Sequence, residues 1–156
     1  MKAYLAGPMS GLPQFNFPEF KRVTALLRSQ GWEIVSPAEL DEQESHDAAM
    51  ASPTGDPVEA HRTWGDYLSR DVKIIADAGI EAIVFLPNWE KSKGARLEAS
   101  VGLQIKSMRF FEMEMETDIP VESEAGAIAL GVFLESIRLF HPEVVDGLEL
   151  ALEKYI

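Results

Sequence analysis

The sequence predicts an α/β fold: an open, mostly parallel, flavodoxin- or Rossmann-like sheet of four to five strands with helices on both faces. Short uninterrupted apolar runs are typical of strands that are covered on both faces. These runs alternate with segments whose apolar residues recur every three to four positions, which is typical of amphipathic helices. The alternation indicates parallel strands joined by right-handed crossovers. The 156 residues suit a single domain over 1–156.

The first strand–helix–strand unit is predicted between residues 3 and 37. The apolar run at 3–6 predicts a buried strand, and a glycine-punctuated loop follows at 7–11. Asn16 is the expected N-cap of a helix that has Pro18 in its first turn, and Gly31 is expected to end that helix. Residues 32–37 then predict a second strand, parallel to the first.

The remaining elements follow after residue 40. Residues 41–62 are acidic, small and turn-forming, which favours a surface excursion such as a lid or binding loop. We predict a helix at 64–77, a strand at 82–86, a loop at 87–94, a helix after it and a fourth strand near 108–115. The segment 112–156 is expected to be a mainly helical C-terminal extension from Glu122 onward. Its apolar helix at 125–140 serves either a dimer interface or packing against its own sheet.

The composition limits the possible functions. The formal net charge is −12, which argues against a nucleic-acid polymer as partner because such binding needs clustered cations. No cysteine is present, so disulfides, thiolate nucleophiles and zinc–cysteine sites are excluded. The three histidines are scattered, and we expect no metal site. No apolar run reaches the roughly 18–20 residues of a membrane span, and the N-terminal apolar stretch is too short for a signal peptide. We therefore expect a cytoplasmic protein that makes no membrane contact.

The chemistry is expected at the carboxyl ends of the strands, where open α/β sheets bind ligands. The loops at 7–11 and 87–94 emerge there. Glu98 follows the second loop near the positive pole of a helix, where a carboxylate can attack a sugar carbon or merely complement the helix dipole. Ser92 can donate to a phosphate at this helix end or act as a plain N-cap.

Other acidic residues and Tyr4 are further candidates. We expect at least two of Asp66, Asp71 and Asp77 to lie on an exposed helix face, whereas a buried one near a leaving base can act as general acid. Tyr4 lies on a central strand, and the pattern leaves open whether it faces the core or the site. The acids around His46 are interpreted as a solvated loop rather than a cation site. That acidic group comprises Asp41, Glu42, Glu44 and Asp47.

Taken in order, these residues resemble the nucleoside 2-deoxyribosyltransferase-like superfamily, and most closely a small bacterial and phage branch of it. The resemblance covers about residues 2–110. The residues that carry it are YLAGPMSG at 4–11, FNFP at 15–18, Asp71, Asp77, Trp89 and SKGARLE at 92–98.

The resemblance implies roles for the site residues. Glu98 takes the position of the superfamily's nucleophile, Asp71 that of the acid that assists the leaving base, and Tyr4 that of the tyrosine that orients the nucleophile. Ser92 is similar to the serine of the deoxynucleoside 5′-monophosphate N-glycosidases, where the transferases carry an aspartate that would repel a 5′-phosphate. The residues implied in substrate or phosphate binding are Gly7, Met9, Ser10, Gly11, Ser92 and Gly94.

The expected function is cleavage of the N-glycosidic bond of a (deoxy)nucleoside 5′-monophosphate. Glu98 would form a glycosyl-enzyme, and base and sugar 5-phosphate would be released without a metal or organic cofactor. Three alternatives stay open: a nucleoside 2-deoxyribosyltransferase, a nucleotide-binding module without turnover and a chiefly protein-binding role. Because members of the superfamily complete their sites across a dimer, we expect a homodimer or higher homo-oligomer.

Overall fold

The computed structural model describes residues 1–56 and 63–145. Short 3₁₀ turns at Pro13–Asn16, Pro37–Glu39 and Trp89–Lys91 lie between the longer elements. Those elements are, in chain order, β1 (Lys2–Ala6), α1 (Phe17–Ser29), β2 (Glu33–Val35), α2 (Gln43–Ala51), α3 (Trp64–Asp77), β3 (Ala82–Phe85), α4 (Lys93–Gly102), β4 (Arg109–Glu114), β5 (Ile119–Ser123) and α5 (Ala125–Arg138).

The five strands form one sheet in the order β2-β1-β3-β4-β5. Strands β1 to β4 are parallel and β5 is antiparallel to β4, so the predicted mostly parallel sheet is confirmed. The chain moves from β1 to β2 on one side and then crosses to β3 on the other side of β1. The carboxyl ends of β1 and β3 therefore form the topological switch point, where doubly wound sheets bind their ligands.

Each face of the sheet carries its own helical layer. Alternate residues of a strand point to opposite faces, so Ala3 and Leu5 join the core under α1, whereas Tyr4 and Ala6 join the core under α3, α4 and α5. Every residue of β3 is buried. The prediction of helices on both faces is thus confirmed. The parity of β1 also directs the Tyr4 side chain toward α4.

Two segments differ from the sequence-based expectation. Residues 41–62 were expected to form a loop excursion, but 43–51 form helix α2, and 57–62 lie outside the described residues. The sequence left β5 unplaced, and the C-terminal helix begins at Ala125 rather than near Glu122. The cause is that β5 is an edge strand with no fully buried residue, so it lacks the apolar run of the central strands.

The start of α1 corrects the role expected of Asn16. Asn16 stands at the N-cap position, but it has φ 59° and its side chain makes no capping hydrogen bond. Instead, Asn16 Nδ2 donates to the Pro8 carbonyl oxygen at 3.0 Å. This bond ties the loop after β1 to the helix that follows it. Gly31 has φ +89° just beyond α1, as expected of a glycine that ends a helix.

Helix α5 packs through its buried Ile128 onto the same core as α3 and α4. Of its other apolar side chains, Leu130 and Phe133 are 43% and 54% exposed, and Phe140, just beyond the helix, is 77% exposed. The helix thus covers its own domain and presents an apolar face outward as well. Throughout 1–56 and 63–145, we find no helix with the length and apolarity of a membrane span.

Candidate active site

A cavity of about 500 Å³ opens at the carboxyl ends of β1 and β3. The loop after β1, the first two turns of α3 and the start of α4 enclose it. The residues that line it are Gly7, Pro8, Met9, Ser10, Leu12, Phe15, Phe17, Trp64, Tyr67, Leu68, Arg70, Asp71, Asn88, Lys91, Ser92, Lys93, Gly94, Ala95 and Glu98.

Glu98 and Tyr4 are joined by a buried hydrogen bond at this site. Glu98 lies in the second turn of α4, is 7% exposed and lines the cavity. The Tyr4 hydroxyl reaches it from β1 and donates to Glu98 Oε1 at 3.0 Å. Tyr4 is fully buried, so this hydroxyl has exchanged water for the carboxylate. The open question about Tyr4 is answered by this contact, because the ring lies in the core and the hydroxyl contacts the site.

Asp71 is the second acid in the cavity, and it is 5% exposed. The Arg70 guanidinium donates from Nε to Asp71 Oδ1 at 2.8 Å and from Nη1 to Asp41 Oδ1 at 2.5 Å. The Asp41 side chain is only 1% exposed. The interpretation of Asp41 as part of a solvated loop is therefore wrong. A buried aspartate needs a cation, and Arg70 supplies it.

The other two aspartates of α3 have structural roles. Asp66 accepts from the backbone N–H of Thr63 and closes a capping box at the helix start. Asp77 is exposed and pairs with Lys73 at 2.7 Å. The expectation that at least two of the three acids lie on an exposed face is confirmed, and Asp71 is the exception.

Both carboxyl groups in the cavity hold their protons more tightly than usual. Burial raises the pKa of Glu98 to about 8; the negative charge of Asp71 adds to the rise, while Tyr4 and Arg70 oppose it. Burial also raises the pKa of Asp71, against the opposing effect of Arg70. Because Arg70 contacts Asp71 and not Glu98, the proton of the pair rests mainly on Glu98 near neutral pH.

The start of α4 is the part of the cavity that favours an anion. Ser92 caps α4 by accepting from the Ala95 N–H at 3.3 Å, so its predicted capping role is confirmed. Lys91 and Lys93 flank it in the chain, and both line the cavity. The Lys93 ammonium lies 4.5 Å from the centroid of the Trp64 ring, which opens α3. Backbone N–H groups at a helix start together with two ammonium groups suit a phosphate.

The loop after β3 is held by contacts that place α4. The Trp89 ring stacks on Phe85 with a centroid distance of 4.2 Å, and its Nε1 donates to Glu112 Oε1 at 2.9 Å. Arg96 Nη1 donates to the Glu90 carbonyl oxygen at 2.6 Å. These bonds explain how a loop of polar residues presents Ser92 and the first turn of α4 in a fixed position.

The glycines of the site have different roles. A Cβ at Gly7 would lie 2.8 Å from Leu86 Cβ, so close packing of the two loops requires glycine there. A Cβ at Gly94 would meet only the Ser92 hydroxyl at 3.9 Å, so this backbone is open to a ligand. Gly11 does not line the cavity: its N–H donates to the Gly55 carbonyl oxygen at 3.0 Å, and its φ of +82° favours glycine. Of the implied binding residues, the structure brings together all but Gly11.

The segment after α2 supports the loop that follows β1. Besides the Gly11 bond, the Gln14 N–H donates to the Ser52 carbonyl oxygen at 2.7 Å. Residues 14–16 all have positive φ, which few non-glycine residues adopt, and these contacts hold them there. The described part of the predicted excursion is therefore a support for the site wall. Its His46 stacks on Phe17 with a centroid distance of 5.3 Å.

A protein-family model described as "Domain of unknown function (DUF4406)" matches residues 1–108. The chain belongs to this family. The DUF4406 region runs from β1 to the end of α4 and the turn after it, so it contains every residue that lines the cavity. No curated protein and no solved structure matches the chain. Within the described residues, no group of three or more His, Asp or Glu side chains could hold a metal ion.

Sequence reasoning missed several residues of the DUF4406 cavity. Arg70 directly precedes Asp71, and neighbours in a helix do not normally face one site, so the pattern gave no signal. Trp64 is the first residue of the predicted helix at 64–77, and the helical spacing gave no sign that it lines the cavity. Lys91 and Lys93 were passed over as loop residues. Two lysines on either side of a predicted N-cap serine were the signal that could have revealed them.

Proposed function

We propose that this DUF4406 protein cleaves the N-glycosidic bond of a (deoxy)nucleoside 5′-monophosphate, as the resemblance to the deoxyribosyltransferase-like superfamily implies. The observation that carries the proposal is the pair of buried carboxyl groups, Glu98 and Asp71, in one cavity, with the Tyr4 hydroxyl on Glu98. Two carboxyl groups suffice for glycoside cleavage through a covalent intermediate.

The cycle needs Glu98 ionised and Asp71 protonated, which is the reverse of the resting arrangement, so the proton of the pair passes from Glu98 to Asp71 before the glycosidic bond breaks. A Glu98 carboxylate oxygen attacks C1′ while the C1′–N bond breaks, and the electron pair goes to the base, which takes a proton from Asp71. Water then attacks C1′, the ester electron pair returns to Glu98, and the proton of the water goes to Asp71. The hydrogen bond from Tyr4 to Glu98 Oε1 favours the ionised form of Glu98 that this cycle requires.

The charges that line the cavity indicate where the 5′-phosphate of the substrate would bind. The protein carries a net charge of −12, yet Lys91 and Lys93 line the cavity beside the capped start of α4. A 5′-phosphate bound there would have the ammonium groups and backbone N–H donors as partners. The aromatic side chains of Trp64 and Tyr67 in the wall offer the base a stacking surface. These features support a nucleotide over a free nucleoside.

The test is chromatographic detection of free base. The purified protein is incubated with ribo- and deoxyribonucleosides and their 5′-monophosphates, beside Glu98→Gln and the matched control Glu90→Gln. Glu90 lies in the preceding 3₁₀ turn and does not line the cavity. We expect the wild type and Glu90→Gln to release base from monophosphates, and Glu98→Gln to release none.

The other outcomes distinguish the alternatives. Release from nucleosides alone, and only when an acceptor base is present, would indicate a transferase. Nucleotide-dependent thermal stabilisation without any release would indicate a binding module. Release by Glu98→Gln at the wild-type rate would refute Glu98 as nucleophile.

We further propose that the protein forms a homo-oligomer through α5, in line with the dimers of the resembled superfamily. Leu130 and Phe133 of this helix are 43% and 54% exposed, although the helix is mostly apolar. Light scattering after size exclusion measures the mass directly. We expect a mass above the 17.3 kDa of one chain and a monomer for Phe133→Glu. A monomeric wild type at high concentration would contradict this assignment.

A further inference from the structure

Two charged residues of the site have no part in the proposed bond-breaking steps. They are Arg70, whose side chain is 20% exposed, and Asp41, whose side chain is 1% exposed. Asp41 follows the 3₁₀ turn Pro37–Glu39, which lies after the carboxyl end of β2 at the same edge of the sheet as the cavity. It contacts Arg70 across 29 positions of sequence. Burying a carboxylate costs free energy of desolvation, so the burial of Asp41 calls for a structural or functional explanation.

We propose that Asp41 and Arg70 are positioning residues, in which the Asp41 carboxylate holds the Arg70 guanidinium and the guanidinium fixes the orientation and charge of Asp71. This inference rests on the proposed function for the identity of the reaction, and it adds two residues that set the state of the acid.

The geometry restrains the guanidinium on three sides. Arg70 Nη1 donates to Asp41 and Nε donates to Asp71. The guanidinium carbon also lies 5.4 Å from the centroid of the Tyr67 ring. A planar fork with two carboxylate partners and an aromatic neighbour has little rotational freedom. Asp71 Oδ1 is consequently held in place, and under the proposed function the Asp71 carboxyl group gives its proton to the leaving base.

The same contacts balance the charge at Asp71. Arg70 favours the ionised form of Asp71, whereas Asp41 carries a negative charge that offsets part of that effect. Tyr4, from β1, also faces both acids, and Lys91 and Lys93 line the same cavity at the start of α4. Neutralising Asp41 should therefore lower the pH at which the acid pair titrates. Neutralising Arg70 should raise it.

The experiment compares Asp41→Asn, Arg70→Gln and the double variant. Titration of the carboxyl groups is followed by NMR on protein labelled with ¹³C at Asp and Glu carboxyls, with Asp71→Asn and Glu98→Gln for assignment. We expect the midpoint of the pair to move down by about one pH unit in Asp41→Asn and up by about one in Arg70→Gln. The midpoint of the double variant should lie between the midpoints of the two single variants.

A matched control separates this effect from general disturbance. Arg28 donates to both carboxylate oxygens of Glu39, at 2.9 and 2.7 Å, two residues before Asp41 but on the exposed surface. Glu39→Gln removes that pair and should leave the titration unchanged. Arg70→Lys retains the charge but loses the fork, so it should keep the wild-type midpoint while lowering kcat roughly 10- to 100-fold through misplaced geometry.

The outcomes are decisive for Asp41 and Arg70 even if no base is released. Because NMR titration does not require turnover, an inactive protein would refute the proposed function and leave the charge network testable. Shifts of the same sign in both single variants, or no shift beyond that of Glu39→Gln, would overturn the proposal. If a single variant fails to fold, the double variant, which removes the buried Asp41 charge together with its partner, provides the comparison with wild type. Because Asp71 also loses its cation there, the midpoint should lie above that of the wild type.

Discussion

Glu98 should make the stability of the protein depend on pH in a specific direction. Its pKa is 4.5 in an unperturbed chain and about 8 in the folded protein, chiefly because of burial. The unfolded chain therefore releases this proton near pH 4.5, whereas the folded chain retains it to about pH 8. The folded state binds more protons across that interval, so its stability falls as the pH rises through it. Below pH 4.5 the contribution is fully present.

The size of the effect follows from the same interval. Each pH unit between the two pKa values removes up to about 1.4 kcal/mol of the free energy of unfolding. The whole interval corresponds to about 5 kcal/mol, which is comparable with the entire stability of many domains. Glu98→Gln keeps the size of the side chain and removes its titration. We therefore expect the variant to gain stability relative to wild type as the pH rises from 5 to 8.

Urea unfolding, followed by circular dichroism at a series of pH values, measures this difference. The informative quantity is the free energy of unfolding of Glu98→Gln minus that of wild type, because the other titrating groups largely cancel. Glu90→Gln is the control, and its difference from wild type should stay flat. Parallel pH curves for wild type and Glu98→Gln would refute the inference that a buried carboxyl holds a proton in the folded state.

Four further substitutions each test one residue of the site. Tyr4→Phe keeps the ring and removes the donor to Glu98, so it should slow base release roughly 10- to 100-fold and shift the pH–rate profile upward. Lys93→Gln should raise KM for a 5′-monophosphate roughly tenfold in a base-release assay. Its affinity for the nucleoside, measured by calorimetry, should stay unchanged. Gly7→Ala should cost about 1–3 kcal/mol of unfolding free energy, because its Cβ would lie 2.8 Å from the neighbouring leucine side chain. Gly94→Ala, whose Cβ meets only a hydroxyl at 3.9 Å, should fold normally and weaken ligand binding.

The central part of the fold was predictable because it is buried on both faces. Strand β3 is buried at every position, and such a strand has a sequence pattern of its own. Strand β5 lies at the edge, where packing constrains few side chains, and it contains Pro120, which has no N–H to donate to a ladder. Nothing in its sequence distinguishes it from a loop. Helix α2 was likewise missed, since among its residues only Ala49 is buried.

The candidate site likewise contains residues that could be predicted from the sequence and residues that could not. Ser92 and Glu98 belong to one helix, so their relation follows from spacing alone, and the parity of β1 placed Tyr4 on one of two faces. Arg70 and Asp41 meet across 29 positions, and no periodicity encodes such a contact. The acidic surroundings of Asp41 in the sequence also favoured a solvated loop. The burial of Asp41 within an acidic segment can be predicted only once its partner, Arg70, is known.

If the proposed function is correct, the uneven distribution of charge around the cavity would orient the nucleotide. Asp41 and Asp71 share the Arg70 guanidinium, so a phosphate dianion placed beside Asp71 would meet two carboxylates that one cation does not fully neutralise. Lys91 and Lys93, in contrast, stand beside the free N–H groups of α4. Under the proposed function, a 5′-phosphate would be repelled from these acids and attracted to the start of α4, which would direct the glycosidic bond toward Glu98 and Asp71. Removing both lysine charges should therefore weaken nucleotide binding and also allow the nucleotide to bind in other orientations. The rate of base release should then fall by a larger factor than the binding affinity.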